Sequence, residues 1–180
     1  MKVVGLSGSI IGAKTAIAVD EVLQRFKEKY PEADTELLDM RDYDVEFVSG
    51  KPLASYNNDT QTIIAKIIDA DVIVIGTPVY QASITGVLKN LFDHLPTTAL
   101  KSKVVGMVTT AGSKSHLLVT EYQLKPILAF FKALIATNNV FLHTSCFNDK
   151  NEIVDEDVQN RISALAEELH ELQIKMHGSK

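Results

Sequence analysis

Along this chain, short runs of β-branched and aliphatic residues alternate with longer stretches of helical periodicity, and that alternation restricts the fold more than any other feature. It predicts a parallel sheet covered by helices on both faces. Five strands are read: Lys2 to Ser7, Thr35 to Asp39, Asp71 to Gly76, Lys103 to Thr109 and Asn139 to Thr144. The third and fourth, with Val72, Ile73, Val74, Ile75 and Val104, Val105, Met107, Val108, are nearly continuous in apolar character, as burial on both faces requires. Between strands, Val19, Val22, Leu23 and Phe26 follow an i, i+3, i+4, i+7 pattern, and so do Leu88, Leu91, Phe92 and Leu95. A final helix from about Asp155 to Met176 carries Val158, Ile162, Leu165, Leu169, Leu172 and Met176 and opens on Asp155, Glu156 and Asp157, where the helix dipole favours negative charge. The stretch Tyr43 to Asn58, with Gly50, Pro52 and Asn57 and no sustained period, reads as an excursion after the second strand. The expected architecture is α/β: a three-layer sandwich on a five-stranded parallel sheet in the order 2-1-3-4-5, with residues 1–180 in one domain.

Charge and composition narrow the function classes. Acidic residues number 23 against 18 basic ones, with no basic block, so nucleic acid is not an expected partner. Cys146 is the only cysteine, which leaves no intrachain disulfide and suits a reducing, cytoplasmic setting. Lys2 to Leu6 has a strand's length rather than that of a signal-peptide core, and no run of about 20 apolar residues could span a bilayer, so a soluble protein without a membrane partner is expected. With no tryptophan, an aromatic stacked on a ligand must be Tyr or Phe.

In open parallel sheets, ligands bind beyond the carboxyl ends of the strands where the strand order reverses. Three segments there are rich in small, polar or conformationally special residues: Ser7, Gly8, Ser9, Gly12, Lys14 and Thr15 after strand one; Thr77, Pro78, Val79, Tyr80, Gln81 and Ser83 after strand three; and Thr110, Ala111, Gly112, Ser113, Lys114, Ser115 and His116 after strand four. In the order 2-1-3-4-5, strands one, three and four are neighbours, so the three segments converge on one pocket. The first lies between a strand and an amphipathic helix, where backbone amides and the helix terminus suit a phosphate. The hydroxyls of Ser7, Ser9 and Thr15 can donate to phosphate oxygens, Lys14 adds a charge, and no carboxylate precedes Asp20. Pro78 stiffens the second segment, against which a flat ring could lie, and Tyr80 could lie along that ring or face another subunit. In the third, Gly112 allows close backbone approach, and the helix start beyond it aims amides at the ligand's electron-rich edge.

Two near-miss motifs overlap the first segment. Gly8 to Thr15 reads G-x-x-x-x-A-K-T, with Ala13 where a triphosphate-binding loop needs glycine, and no aspartate closes strand three or four to hold magnesium. Gly5, Gly8 and Gly12 with Asp39 suggest a dinucleotide fold, but their spacing is not G-x-G-x-x-G. A loop of hydroxyls favours a terminal monophosphate.

These segments resemble the NADPH-dependent FMN reductase family of flavodoxin-like folds, especially flavin reductases of two-component alkanesulfonate monooxygenase systems. The resemblance is carried by Gly5-Leu6-Ser7-Gly8-Ser9, by Thr77-Pro78-Val79-Tyr80 with Gly86-Val87-Leu88-Lys89-Asn90, and by Thr110-Ala111-Gly112 with His116-Leu117-Leu118 through Tyr122-Gln123-Leu124-Lys125-Pro126. It implies FMN as cofactor and NADH or NADPH as hydride donor, with the FMN phosphate on the first segment, the ribityl chain and ring beside the second, and the ring's pyrimidine side on the third. It also implies a homodimer or homotetramer and a monooxygenase as recipient of reduced flavin. Family members often carry an arginine where this chain has Ile11 and a serine where it has Lys14, so phosphate binding here leans on Lys14 and Thr15. Tyr122 matches a tyrosine that, in the sulfonate-system branch, lies in a helix irregularity at a tetramer interface.

The implied reaction is hydride transfer from nicotinamide to flavin. The flavin performs the chemistry, so no catalytic acid or base is named. His116 is read as a local hydrogen-bonding residue, and His94, His143, His170 and His177 show no metal-ligand spacing. Two other outcomes fit the same residues: a reductase of azo dyes or quinones that retains its FMN, and a flavodoxin-type electron carrier that does not itself oxidise nicotinamide.

Overall fold

The computed structural model describes residues 1–177; the side chain of His177, read above as lacking ligand spacing, lies outside the described residues. Strands β1 (Lys2–Ser7), β2 (Asp34–Asp39), β3 (Val72–Pro78), β4 (Val104–Ala111), β5 (Leu134–Ile135) and β6 (Val140–His143) alternate with helices α1 (Lys14–Lys29), α2 (Asn58–Asp69), α3 (Gly86–His94), α4 (Lys125–Phe130) and α5 (Glu156–His177). The sheet is parallel in the order β2-β1-β3-β4, with β5 and β6 both on the outer edge of β4. Every residue of β3 and β4 is buried, as their unbroken apolar runs require.

Alternation along the strands divides the core in two. Val4, Leu6, Ile73, Ile75, Val105 and Met107 pack with Ile63, Ile64 and Ile67 of α2, Leu88 and Leu91 of α3, and Leu128 of α4. Val3, Val72, Val74, Val104 and Val108 face Val19, Val22 and Phe26 of α1 and Ile162, Leu165 and Leu169 of α5. Helix α1 lies very close to the sheet: a Cβ on Gly76 would come within 2.3 Å of Val19 Cγ2, so only glycine fits there. This contact fixes the amino end of α1 over the carboxyl ends of β1 and β3.

Four features depart from the expectations above. The fifth strand is in two pieces: Leu134–Ile135 pairs with Val104 and Val105, and Val140–His143 pairs with Val108 to Ala111. The break over Thr137 and Asn138 is stabilised by α5, because the Glu168 carboxylate accepts from both backbone amides at 2.8 Å and from Thr137 Oγ1 at 2.7 Å. Second, α2 has no counterpart among the elements read from sequence; its amino end is capped by the Asn57 side chain, which accepts from Thr60 N. Third, β3 and β4 run further than expected, so that Thr77, Pro78, Thr110 and Ala111 are strand residues rather than loop residues. Pairing of Pro78 with Thr110 holds those ends together, and Val79 N donates to Thr110 O at 2.9 Å.

The fourth departure follows β4. Instead of a helix starting directly beyond Gly112, the chain makes a 3-10 turn over Lys114–His116, then a π-helical segment over Thr120–Leu124, and only then α4. Pro126 accounts for the wide segment: in a regular α-helix its ring would collide with the carbonyl of Tyr122, four residues earlier, and widening the turn removes that clash. Tyr122 thus sits in a helix irregularity and is 74% exposed.

Candidate functional site

At the carboxyl end of the sheet lies a cleft of about 360 Å³, walled by the start of α1 and the ends of β3, β4 and β6. Of the residues selected from sequence, Lys14, Thr15, Pro78, Val79, Tyr80, Thr110, Ala111 and Gly112 line it. Ser7, Ser9, Thr77, Ser113 and His116 are not among its lining residues.

The floor of the cleft is the amino terminus of α1. Ala13 stands at the cap position and offers no side-chain acceptor, and no acidic residue occurs in the first turn, so the leading amides of α1 keep their donors for an anion. Gly12 has φ +72°, a left-handed turn that glycine makes without a Cβ penalty and that lets the chain enter the helix. Behind this floor, Ser7 is 1% exposed and its Oγ has no hydrogen-bond partner, a buried polar atom of the kind a bound ligand or water satisfies. None of the residues lining the cleft is acidic.

A set of side-chain bonds makes the three segments one unit. Thr15 Oγ1 and Thr110 Oγ1 lie 2.8 Å apart and join the first to the third. Thr85, the cap of α3, donates to Gly8 O at 2.6 Å and accepts from Leu88 N, joining α3 to the first. Thr77 is fully buried; its Oγ1 donates to Pro78 O at 2.9 Å. Ser9, 2% exposed, donates to Ile11 O at 2.9 Å and lies 3.3 Å from Tyr80 Oη, so its hydroxyl closes the loop on itself and anchors the tyrosine. Ser113 caps the 3-10 turn by accepting from Ser115 N, and His116 lies within that turn, on no α-helix end.

Tyr80 is placed by a tight two-residue turn. Tyr80 N donates to Ser83 O and Ser83 N to Tyr80 O at 3.1 and 3.0 Å, and the central Gln81 and Ala82 have φ of +49° and +60°. Neither is glycine, so the turn stores strain of about 1–2 kcal/mol per residue. Gln123, from the π-helical segment, holds it: its Nε2 donates to Ala82 O at 2.9 Å and its Oε1 accepts from Ser83 Oγ. The wide helical turn therefore places one side chain on the turn that carries Tyr80.

Sequence reasoning missed one wall. Leu142, Thr144, Phe147 and Asn151, at and beyond the end of β6, also line the cleft, and Lys14 Nζ lies 5.3 Å from the centre of the Phe147 ring. The rule that selected the other segments applies equally to the strand beside β4, so the signal was present. His143 was likewise set aside. Its Nδ1 accepts from Ser145 N, which leaves the ring proton on Nε2 to be donated to Gly112 O at 3.1 Å. That bond turns the Gly112 carbonyl toward β6 and fixes the third segment. A Cβ on Gly112 would meet no protein atom within 4 Å, so the backbone there borders open space.

A doubly wound sheet in this order, with an uncapped helix terminus and a stiff second segment at the switch point, defines a flavodoxin-like mononucleotide-binding protein. The model of the family described as NADPH-dependent FMN reductase matches residues 1–147, and the chain belongs to that family. It is 49% identical over 179 residues to an NAD(P)H-dependent FAD/FMN reductase of Geobacillus thermodenitrificans (strain NG80-2), covering 99% of this chain and 95% of the relative. It is 28% identical over 167 residues to an FMN reductase (NADPH) of Pseudomonas aeruginosa, covering 92% and 89%. Among solved structures, the apo form of the NADH:FMN oxidoreductase EmoB superposes with a TM-score of 0.78 at 24% identity, covering 97% of this chain and 89% of that one, which supports the fold. The chain is an oxidoreductase that uses NAD(P)H and FMN.

Proposed function

We propose that FMN binds with its phosphate on the amino terminus of α1, its ring between the Pro78-Val79-Tyr80 and Thr110-Ala111-Gly112 segments, and its pyrimidine edge toward Gly112 and Ser113. The observation that carries this reading is the uncapped, acid-free start of α1 beside Lys14, Thr15 and the unpartnered Ser7 hydroxyl. The donor set fits a phosphate monoester: leading helix amides, hydroxyls and one ammonium group. When bound, flavin supplies the chemistry of accepting hydride from a nicotinamide. The protein's part is positional. Lys14 and Thr15 hold the phosphate, Pro78 and Val79 present a rigid apolar edge, and Tyr80, pinned by Ser9 and by the strained turn, limits water at one side. The third segment, tied back by His143, presents backbone toward the edge where negative charge develops.

We further infer a homo-oligomer, a homodimer or a homotetramer, in which subunits cover exposed apolar side chains: Ile11 is 70% and Phe47 79% exposed, and Ile10, Leu117, Leu118 and Tyr122 are exposed as well. Passage of reduced flavin to a monooxygenase, in a reducing cytoplasm that keeps the lone Cys146 free, completes the proposal. Among the described residues no helix is long and apolar enough to cross a membrane. Steady-state oxidation of NADPH and of NADH with added FMN tests the function. Turnover that saturates in FMN is expected, and absence of turnover with both nicotinamides would overturn the reading.

A further inference from the structure

Beside the cleft lies a second cavity of about 400 Å³ with an apolar lining that includes Ile10, Val45, Phe47 and Val87. Ile11 and Tyr80 border both cavities and so stand between them. The Tyr80 hydroxyl joins the two sides of this partition, donating to Ile11 O at 3.4 Å and lying 3.3 Å from Ser9 Oγ. Both contacts are longer than the usual hydroxyl hydrogen bond of about 2.7–2.8 Å. The hydroxyl alone therefore holds the ring weakly, and the place of Tyr80 depends on the backbone that carries it.

That backbone is a two-residue turn with positive φ at both central positions, a geometry that favours Asn-Gly. Here the pair is Gln81 at +49° and Ala82 at +60°, so the turn's own sequence works against its shape. The hold comes from outside. Gln123 Nε2 donates to Ala82 O at 2.9 Å and Gln123 Oε1 accepts from Ser83 Oγ, so one side-chain amide spends its donor and its acceptor on successive residues. The π-helical segment that bears Gln123 is itself fixed to the sheet. Its Thr120 shares a buried hydroxyl hydrogen bond with Thr109 of β4, and its Glu121 Oε1 accepts from Asn139 Nδ2 at 2.7 Å. Thr109 adjoins Thr110, whose Oγ1 meets Thr15 on α1. The contacts thus run in a ring from α1 through β4, Gln123 and Tyr80 back to the first segment. Gln123 lines neither cavity, so it reaches the cleft only through the turn.

We propose that Gln123 is a positioning residue for the flavin: by holding the left-handed Gln81-Ala82 turn it keeps Tyr80 docked on Ile11 and Ser9, closes the partition between the two cavities and slows the exchange of FMN with solvent. This rests on the flavin reading above. A Tyr80 ring freed from the turn would join the two cavities and admit water beside the bound ring.

Wild type, Gln123→Met, Gln123→Glu and Gln123→Met/Ala82→Gly are compared by stopped-flow release of FMN and by steady-state turnover with NADPH, with circular dichroism and light scattering on each. Methionine keeps the length of the side chain and neither hydrogen bond; glutamate keeps the acceptor for Ser83 and places a carboxylate against the Ala82 carbonyl. Both single variants should release FMN about tenfold faster and raise KM for FMN by a similar factor, with kcat falling by no more than about twofold. Glycine takes the positive φ at 82 without a Cβ penalty, so the double variant should return to within about threefold of wild type. A general loss of packing at Gln123 would give no such recovery. Unchanged FMN release in both single variants, a loss that Ala82→Gly fails to restore, or a loss that follows a change in molar mass would overturn the proposal and leave the flavin reading intact. Failure of the wild type to bind FMN would bring down the flavin reading and the proposal with it.

Discussion

Single residues at the site are held in conformations that their neighbours over-determine. Gln81 and Ala82 sit in the left-handed region without being glycine, and Gln123 and the Tyr80–Ser83 backbone pair keep them there. Ala82→Gly should relieve about 1–2 kcal/mol of that strain against an entropic cost of about 0.5–1 kcal/mol. The net gain should raise the melting temperature by about 2–4 °C, measured by differential scanning calorimetry; a fall would show that the turn is unstrained. Much of this scale was legible in the sequence. Lys14, Thr15, Pro78, Tyr80 and Gly112 were selected as residue types at the ends of apolar runs, and they line one cleft. Thr77 was selected for its hydroxyl too, yet that hydroxyl is spent on Pro78 O, which no sequence pattern reveals. The role of His143 is hidden because it depends on the Gly112 carbonyl, 31 residues away and just beyond β4.

At the scale of elements, strands β1, β3 and β4 and helices α1, α3 and α5 were legible because each carries an unbroken apolar run or a full helical stripe. α2 was not, since its stripe has only Ile63, Ile64 and Ile67 behind a polar first turn, and its cap at Asn57 resembled the end of a loop. The break in the fifth strand was hidden for a different reason. Its amides are satisfied by Glu168, distant in sequence, so local propensity carries no trace of it. Burial pushes the Glu168 carboxyl up, but the hydrogen bonds from Thr137 and Asn138 outweigh that and hold it below the ordinary glutamate range. With a depressed folded-state pKa, its contribution is fully present above the ordinary glutamate value of about 4.3 and is lost as pH falls through the lower, folded value. Glu168→Gln should therefore cost about 1–2 kcal/mol at neutral pH, by the usual value of a charged hydrogen bond in a partly exposed setting. The variant should also flatten the acid limb of stability, measured by urea denaturation between pH 3 and 7; an unchanged acid limb would remove Glu168 from the account.

For the whole molecule, the carboxyl ends of the doubly wound sheet gather segments far apart in sequence at one cleft, as the strand order of such sheets predicts. The same topology brings the end of β6 to the cleft, where Leu142, Thr144, Phe147 and Asn151 join its lining. What the sequence could not supply is how the surface is covered. Ile11 and Phe47 are exposed and line an apolar groove shared with Tyr80. If subunits cover that groove, Phe47→Ser should lower the molar mass measured by light scattering to that of a monomer, whereas an unchanged mass would place the interface elsewhere.

The central claim is that the start of α1 is a phosphate seat for FMN, and comparing FMN with riboflavin isolates the phosphate. Titration of the wild type should show FMN bound at least about tenfold more tightly than riboflavin, as one charged hydrogen-bonding set of about 1.5–3 kcal/mol implies. In Lys14→Ala/Thr15→Ala the gap should close through loss of FMN affinity alone. Equal affinities for the two flavins in the wild type, or a gap that survives the double substitution, would contradict the account.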